Sequence, residues 1–465
     1  MRSFRLLAAT VLVSASFISG CQTATTRPDL PRRLETLFTD LHDRGLFDGA
    51  VVIGKGPDII WESGFGYANV EEGVRFTPDT PTDGASLAKT FTSALVLMLA
   101  GEGFLDLDEP AQRFLPELPY PTVTLRHLLS HSSGIPVMDY DYFDAFLPAE
   151  QVRTTEVLLG VLAGQRQPLA FTPGTSFEYS SLGYDLAALA ASRAAGKTYG
   201  ELLSERFFRP LNITSAFLRP GRFRDFPPVR TLGYRRIGEK QMLHEVFDRE
   251  AFHGGSNLYI SARDLHRWNS SFLTQPLLNK TGLDQAAQPS RIGAGPSGLT
   301  LGSWYRSEDR SAFWYSGHLQ GFHNEVFRNL DSRLSIVYVS NNTMEPWLQK
   351  NLIRAVNAIM AGGDPKPLRP PAAEEIGGED HLLLHGRWVM SDGELFTIES
   401  TGSRLGIVRR GVSYRMVQLH PRAFYVPGLD LMVGFVSDSP ESFSRICTSS
   451  NTAERCGTRE SFAPK

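Results

Sequence analysis

Apolar residues recur at two different spacings along the first part of the chain. Between residues 34 and 44 they recur every three or four positions, which predicts an amphipathic helix. Residues 49–76 instead contain short apolar runs broken by Gly and Pro, which predict antiparallel hairpins beside that helix. Residues 86–101 are apolar nearly all round, so they predict a helix buried in the centre of a domain.

Further along the chain, helical signals give way to strand signals. Residues 109–195 have the pattern of short helices separated by proline-containing loops. Residues 313–315 and 334–339 contain strand-like runs, which we expect to form adjacent strands, and residues 347–360 predict a closing helix. This order indicates an α/β (α+β) fold in which a sheet layer carries a helical insert.

A change of pattern near residue 362 divides the chain. Residues 362–380 combine several prolines with paired glycines and acidic residues, as interdomain linkers do. Residues 381–465 contain short apolar runs separated by turn residues, which predict a small all-β module at the C-terminus. Residues 34–361 are therefore expected to form the main domain.

The N-terminus has the pattern of an export signal. Arg2 and Arg5 precede an apolar run at residues 6–17, which is too short to span a membrane. We therefore expect residues 1–20 to be a signal peptide and residues 21–33 to be a flexible tether.

The apolar run ends in Ile18-Ser19-Gly20-Cys21, which resembles a bacterial lipobox. Cleavage before Cys21 would expose a thiol for lipidation and attach the protein to a membrane. The alternative is an ordinary secretory peptide with a chance cysteine, and both interpretations predict export. Lipidation predicts a protein anchored in the bacterial cell envelope, and Gln22 favours the outer membrane, facing the periplasm, in a Gram-negative organism.

The composition is that of a folded protein without a strong electrostatic preference. About 42% of the 465 residues are hydrophobic, and the formal net charge is −3. Because no block of like charge stands out, we expect no binding to nucleic acid or to an anionic membrane surface. Cys447 and Cys456 lie close together, and an oxidising compartment would let them form a disulfide. Their spacing suits no metal cluster.

The candidate chemistry begins with Ser86-Leu87-Ala88-Lys89 at the start of the buried helix. The spacing places Ser86 and Lys89 on one helix face, with the hydroxyl near the positive end of the helix dipole. A serine hydroxyl needs a neighbour to take its proton, and Lys89 can be that base or an electrostatic partner. The four-residue pattern is common by chance, but a charge inside an apolar helix is costly and indicates a function.

Several segments resemble, in order, those of the penicillin-recognising serine enzymes, which include β-lactamases, D,D-peptidases and related esterases and aminopeptidases. Ser-x-x-Lys at the start of a buried helix is the first motif of that family. The segments that resemble its class C β-lactamase and esterase branch are VTLRHLLSHSSGIP at residues 123–136, FEYSSLGY at 177–184 and NLYISARDL at 257–265. The resemblance spans residues 34–360 and implies a three-layer β-lactamase-like transpeptidase fold with an antiparallel sheet.

By this resemblance, Tyr179 stands at the catalytic tyrosine of the family's Tyr-x-Asn element. It would share the proton transfers with Lys89, taking a proton from Ser86 and later protonating the leaving group or activating water. A buried core phenol is the alternative interpretation. The flanking Ser and Gly residues favour a loop at a cleft.

The third family motif is Lys-Thr-Gly, or His or Trp followed by x-Gly, on an edge strand beside the serine. Its best match is Tyr315-Ser316-Gly317, which would let the backbone N–H groups of His318 and Ser86 form an oxyanion hole. A second register uses Gly317-His318 and makes His318 the motif side chain. The first register is preferred because it preserves the usual gap before a following Gly-Phe pair.

Two departures from the family pattern bear on the substrate. Ser181 stands where the family has Asn, and its hydroxyl cannot offer the same hydrogen bonds to a substrate amide. Tyr315 stands where the family has Lys, so the cation that pairs with the carboxylate of a β-lactam or D-Ala peptide is missing. Both changes favour an esterase, or an amidase acting on small D-amino-acid or peptide substrates, over a true β-lactamase or D,D-peptidase.

Other functional hypotheses have less support. His127 and His131 could share a helix face as metal ligands, but no acidic third ligand stands nearby, and we interpret them as holding a loop. The sequence contains no Gly-x-Ser-x-Gly, phosphate-loop or dinucleotide-binding motif. Acyl-enzyme chemistry requires no metal or organic cofactor, and its partner is a small-molecule or peptide substrate. Because of the motif substitutions, a non-catalytic cell-wall-binding lipoprotein is the rival from another class.

Overall fold

The computed structural model describes most of the chain from residue 29 onward. The described ranges are 29–136, 140–237, 240–245, 248–274, 277–290, 298–369, 384–391, 393–401, 404–409, 412–420, 423–426, 429, 431–439, 442–449 and 454–459. The predicted signal peptide, Cys21 and most of the predicted tether and linker lie outside these ranges. Within them, no helix is both long and apolar enough to cross a lipid bilayer.

The main domain contains both helices and strands, and the elements assigned among the described residues of the C-terminal module are strands. The helices of the described residues are α1 Leu30–Asp43, α2 Ala88–Gly101, α3 Leu125–Leu129, α4 Tyr140–Asp144, α5 Thr155–Gln165, α6 Ser181–Ala195, α7 Tyr199–Leu203, α8 Ala262–Thr274, α9 Lys280–Ala286 and α10 Pro346–Met360. Short 3-10 turns occupy Ala85–Leu87, Ala111–Arg113 and Phe223–Asp225, and a π-helical turn occupies Ser204–Phe208.

The strands of the main domain are β1 Gly49–Lys55, β2 Asp58–Phe65, β3 Tyr67–Asn69, β4 Val74–Arg75, β5 Thr82–Asp83, β6 Arg153–Thr154, β7 Phe217–Leu218, β8 Tyr234–Ile237, β9 Lys240–Leu243, β10 Glu250–Ala251, β11 Leu258–Ile260, β12 Tyr305–Arg306, β13 Ala312–Leu319, β14 Phe322–Asn329 and β15 Leu334–Ser340. Those of the C-terminal module are β16 Gly386–Met390, β17 Leu395–Thr401, β18 Arg404–Arg409, β19 Val412–Arg415, β20 Val417–His420, β21 Ala423–Val426, β22 Leu431–Ser439, β23 Ser442–Ser449 and β24 Glu454–Arg459.

Helix α1 begins at Leu30, four residues before its predicted start. Pro31 stands in its first turn, where the missing N–H has no intrahelical partner to lose and the fixed φ suits the helix. The helix buries Leu34, Phe38 and Leu41 on one face. The last four residues of the predicted tether, 30–33, are therefore helical.

The main sheet has six antiparallel strands in the order β12-β13-β14-β15-β1-β2. The prediction that residues 313–315 and 334–339 form adjacent strands was wrong, because β14 lies between β13 and β15. Strand β14 carries buried polar residues, among them Asn324 and Arg328, and so lacks a continuous apolar run. Its polar groups are accommodated by specific partners, such as the Asp83 carbonyl that accepts from Asn324 Nδ2 at 2.8 Å.

The sheet is covered on both faces, which makes three layers. In β1, Val51 and Ile53 belong to the apolar core shared with α1 and α10. The alternate residues Ala50 and Val52 belong to the second core, which includes α2 and the other helices on that side. These findings confirm the predicted α/β layer with a helical insert.

Helix α2 is buried in the second core, as its nearly uniform apolar pattern predicts. Its buried residues include Lys89, a charged side chain that is 0% exposed. Helix α6 is buried along most of its length in the same core. The candidate site lies where the start of α2, the loop before α6 and strand β13 of the sheet meet.

The C-terminal module contains one antiparallel sheet with the strand order β19-β18-β17-β16-β24-β23-β22-β21-β20. Trp388 and Phe435 pack edge to face in its core. Cys447 and Cys456 are paired across β23 and β24 and are joined by a disulfide. The module is therefore all β, as the turn-separated apolar runs predict.

Candidate active site

Ser86 lies in a 3-10 turn that precedes α2, whereas the sequence pattern predicts a regular helix from Ser86 onward. Asp83 explains the tight turn, because its Oδ1 accepts the Ala85 N–H at 2.8 Å. Ala85 has a φ of 48°, which an L-residue adopts only at a cost. Ser86 is half-buried while Ala85 and Leu87 are buried, so the turn presents the serine hydroxyl at the surface of the core.

Lys89 directs its ammonium group at three oxygen atoms. Its Nζ donates to Ser86 Oγ at 3.2 Å, to Ser181 Oγ at 3.0 Å and to the Gly255 carbonyl at 2.6 Å. An ammonium has three N–H donors, and each of these has an acceptor here. The buried lysine is therefore fully hydrogen-bonded beside the serine.

Tyr179 contacts the same serine from the loop before α6. Its hydroxyl donates to Ser86 Oγ at 2.9 Å, and Lys89 Nζ lies 4.9 Å from the centre of its ring. Burial raises the pKa of Tyr179, but the Lys89 charge and the hydrogen bonds of the hydroxyl outweigh it and lower the pKa below its ordinary value. The phenol is thus prepared to lose its proton more readily than a solvent-exposed tyrosine.

His131 holds the loop that carries Tyr179. Its Nδ1 accepts the Ser180 N–H at 3.0 Å, and its ring stacks on Tyr179 with 4.4 Å between the centroids. Burial, and then the Lys89 charge, lower the pKa of His131 to about 3, so the ring is neutral at physiological pH. His127 Nδ1 accepts the Thr124 N–H at 3.2 Å. His131 therefore holds a loop, as predicted, whereas His127 caps the N-terminus of its own helix α3.

The β13 strand lies directly beside the serine turn. A Cβ added to Gly317 would stand 2.2 Å from the Gly84 carbonyl oxygen, so only glycine allows this approach. Tyr315 is 3% exposed and hydrogen-bonds to Tyr179. Because side chains alternate along a strand, Tyr315 and Gly317 share the face toward Ser86.

Ser316 and His318 have the other orientation on β13. Each is paired with a residue of β14, Ser316 with Glu325 and His318 with His323, and the two imidazole rings are 4.7 Å apart. Strand alternation places both side chains on the face opposite Tyr315. The structure therefore favours the register in which His318 contributes its backbone, and not its side chain, to the site.

The structure brings together residues that the sequence patterns did not single out. Gly255 accepts from Lys89, and Asp185 Oδ1 in turn accepts the Gly255 N–H at 2.7 Å. A signal for Asp185 existed, since it is a carboxylate within the apolar run of α6, as Lys89 is a cation within α2. Asp83 precedes the serine by three residues and offered no comparable signal.

Comparison with known proteins identifies the same kind of architecture. Residues 34–359 match the sequence profile of the family described as Beta-lactamase. Penicillin-binding protein 4* of Bacillus subtilis (strain 168) is 25% identical over 435 residues, which cover 89% of this chain and 95% of that protein.

Solved structures share the fold over much of the chain. The octameric penicillin-binding protein homologue from Pyrococcus abyssi has a TM-score of 0.65 at 19% identity, covering 92% of this chain and 99% of that one. The D-amino acid amidase from Ochrobactrum anthropi SV3, solved with D-phenylalanine, has a TM-score of 0.57 at 20% identity, covering 72% and 99%. Since the family profile matches well over half of its length, the chain belongs to the beta-lactamase family.

Proposed function

We propose that the protein is a serine hydrolase that forms an acyl-enzyme on Ser86. The observation that carries this proposal is the convergence of two proton-bearing groups on one hydroxyl. Lys89 Nζ lies 3.2 Å and Tyr179 Oη 2.9 Å from Ser86 Oγ. A nucleophile within hydrogen-bond distance of its base, with the base held by a third group, is the arrangement that activated serines require.

Tyr179 is the base in this proposal, and Lys89 is its electrostatic partner. As an ammonium, Lys89 donates its three N–H groups to Ser86, Ser181 and Gly255 and places its charge beside the tyrosine ring. The lowered pKa of Tyr179 supports a phenolate stabilised by the adjacent cation. With Tyr179 deprotonated, the hydrogen bond to Ser86 Oγ reverses and the serine donates.

The reaction then proceeds in two acyl transfers. As Ser86 Oγ attacks the carbonyl carbon, its proton passes to Tyr179, and the collapse of the tetrahedral intermediate returns that proton to the leaving alcohol or amine. In the second step Tyr179 takes a proton from water, and the resulting hydroxide attacks the acyl-enzyme. The acid is released and the proton returns to Ser86.

The backbone N–H groups of Ser86 and His318 are the proposed oxyanion hole. The close contact between Gly317 and Gly84 supports this role, because it brings β13 alongside the serine turn. The side chain of Ser316 lies on the face of β13 opposite Tyr315, so Ser316 has no direct role in this proposal.

The proposed substrates are uncharged esters, or amides of small D-amino acids or peptides. Tyr315 is buried and hydrogen-bonded to Tyr179. It therefore places an uncharged phenol at a position where a substrate carboxylate would need a cation. The single hydroxyl of Ser181 already accepts a hydrogen bond from Lys89, so this side chain has no amide group to offer to a substrate. The amidase from Ochrobactrum anthropi SV3, solved with D-phenylalanine, supports the D-amino-acid part of this proposal.

A membrane anchor at Cys21 and a place in the bacterial envelope belong to the same proposal. The lipobox-like segment supports it. Metabolic labelling with radioactive palmitate, followed by fractionation of the envelope, tests it directly. We expect label on the wild type and none on Cys21→Ser, and an unlabelled wild type would contradict the anchor.

The experiment that tests the activity is labelling of the purified protein with a fluorescent fluorophosphonate. We expect an adduct on Ser86 in the wild type and in Ser332→Ala, a matched loop serine whose hydroxyl contacts only its own turn. Ser86→Ala should give none. A panel of p-nitrophenyl esters, D-alanyl anilides and nitrocefin then identifies the substrate class.

Each result of the panel has a distinct meaning. Preferential turnover of esters or D-alanyl anilides supports the proposal. Preferential hydrolysis of nitrocefin, or trapping of labelled penicillin, would identify a β-lactamase or D,D-peptidase instead. Absence of adduct and of turnover on every substrate would favour a non-catalytic cell-wall-binding protein.

A further inference from the structure

A buried carboxylate lies behind the hydrogen bonds of Lys89. Asp185 is 0% exposed in α6, and its Oδ1 accepts the Gly255 N–H at 2.7 Å. Its second oxygen, Oδ2, has no hydrogen-bond partner among the described residues. A carboxylate is expensive to bury, more so with one oxygen unsatisfied, so the site retains Asp185 at a cost in stability.

Gly255 links this carboxylate to the lysine. Its N–H donates to Asp185, and its carbonyl accepts from Lys89 Nζ at 2.6 Å, the shortest of the three lysine contacts. The glycine is therefore held between an anion and a cation. A shift of Asp185 would move the carbonyl that orients the lysine.

The segment that contains Gly255 has no freedom to adjust on its own. A Cβ on Gly255 would stand 2.6 Å from the Ser181 carbonyl oxygen, and one on Gly254 would stand 2.5 Å from the Tyr184 carbonyl oxygen. Thr92 Oγ1 donates to the Gly254 carbonyl at 2.7 Å. Contacts from α2 and α6 thus hold this segment, and Lys89 and Asp185 are the charged members of that set.

The charges around Asp185 are few. Burial raises its pKa to about 6, and the Gly255 N–H and the Lys89 charge act against that rise. Tyr199, whose hydroxyl is hydrogen-bonded to Thr92, is the other titratable group that interacts with it. Above that pKa the carboxylate is ionised, and its charge then interacts with the Gly255 N–H and with Lys89.

We infer that Asp185 is a positioning residue for the reaction, which holds the Gly255 peptide and through it directs Lys89 at Ser86 and Ser181. This inference rests on the proposed function of the site. Asp185 does not touch the reacting atoms. Its effect reaches them through Lys89, whose charge stabilises the phenolate of Tyr179.

The test is Asp185→Asn, which keeps an oxygen for the Gly255 N–H and removes the charge. We expect kcat to fall by about 10-fold to 100-fold, since small displacements of catalytic groups have effects of that size. KM should change little. The acidic limb of the kcat/KM profile should move to higher pH, because a lysine held less well beside Tyr179 stabilises the phenolate less. The melting temperature should stay the same or rise, since a buried charge has been removed.

Glu325→Gln is the matched control. It neutralises another carboxylate whose pKa is raised, to about 7, but whose partner is Tyr338 on the opposite face of the sheet. We expect its kcat and pH profile to match those of the wild type. Asp185→Ser, also uncharged, provides the same comparison if Asp185→Asn does not fold.

Three outcomes would overturn the inference. They are an unchanged kcat and pH profile in Asp185→Asn, an acidic limb that moves to lower pH, and a loss of activity that only follows a loss of folded protein. Fluorophosphonate labelling of the wild type separates these outcomes from a failure of the proposed function. A labelled wild type with an unaffected variant rejects the role of Asp185 alone, whereas an unlabelled wild type rejects both.

Discussion

The Tyr179 hydroxyl lies 2.9 Å from Ser86 Oγ, and the tyrosine comes from a loop 93 residues away in the sequence. The contact depends on His131, which accepts the N–H of the residue after Tyr179 and stacks on its ring. It also depends on Lys89, whose charge lowers the pKa of the phenol. In the proposed mechanism, this lowered pKa makes Tyr179 available as a base at a lower pH than an ordinary tyrosine.

Replacing Tyr179 with phenylalanine tests this role most directly. Tyr179→Phe keeps the ring that stacks on His131 and removes only the hydroxyl, so we expect the fold to persist. General base catalysis contributes about 10²-fold to 10⁴-fold, and kcat should fall by a factor in that range. Steady-state kinetics on the best ester of the panel measures the change.

Tyr120→Phe is the control for this substitution. The Tyr120 hydroxyl donates to the Gln167 carbonyl at 2.9 Å, outside the candidate site. Its kcat should stay within about twofold of the wild type, as expected for a group that does not act in the transition state. A Tyr179→Phe variant as active as this control would remove Tyr179 from the mechanism.

The pH dependence of the reaction should report the charge of Lys89. Tyr179 is a base only as the phenolate, so activity rises as pH rises through its lowered pKa. Lys89→Met removes the cation, which lets burial raise that pKa. The acidic limb of kcat/KM should therefore move to higher pH, with about a tenfold loss at neutral pH for each unit of movement.

A spectroscopic measurement separates this effect from loss of the fold. Tyrosinate absorbs at longer wavelengths than neutral tyrosine. The difference in this absorbance between the protein and its Tyr179→Phe variant, followed as pH rises, reports the ionisation of this one phenol. The titration should move upward in Lys89→Met. A titration that is unchanged, or that moves downward, would contradict the electrostatic role of the lysine.

Ser181→Asn tests whether the residue at this position affects the choice between ester and amide substrates. The amide side chain is longer than the hydroxymethyl group, and its separate C=O and NH₂ groups can bond to Lys89 and to a substrate amide at the same time. We expect kcat/KM for D-alanyl anilides to rise relative to that for p-nitrophenyl esters, by about 10-fold for one added hydrogen bond. Ser181→Ala, which adds no amide, should not raise this ratio, and an equal rise in both variants would contradict the explanation.

Gly317→Ala tests the contact between β13 and the serine turn. The added Cβ would stand 2.2 Å from the Gly84 carbonyl oxygen, so the strand and the turn must separate. A displacement of that kind should lower kcat by about 100-fold or more. Steady-state kinetics, with circular dichroism to establish folding, measures it.

Gly160→Ala is the control, because a Cβ at this exposed helix position would meet no atom within 4 Å. That variant should keep full activity and gain about 0.5 to 1 kcal/mol of stability, since alanine favours a helix over glycine. Full activity in Gly317→Ala would show that the approach of β13 is not needed.

Much of the fold was predictable from local pattern. The buried helix α2, the closing helix α10 and the all-β C-terminal module follow from their apolar spacing alone. The strand β14 was missed because its buried positions include polar residues, whose partners are distant in the sequence. A pattern of hydrophobicity does not register a buried group that is satisfied by hydrogen bonds.

The fold class and the candidate residues Ser86, Lys89 and Tyr179 were predictable from the sequence, because helical spacing and ordered motifs are local properties. How these residues meet is seen in the tertiary structure alone. It shows that the lysine is fully hydrogen-bonded, that the His318 side chain faces away from the serine, and that Asp185 lies behind Gly255. Those facts depend on contacts between segments far apart in the chain, which no spacing of residues specifies.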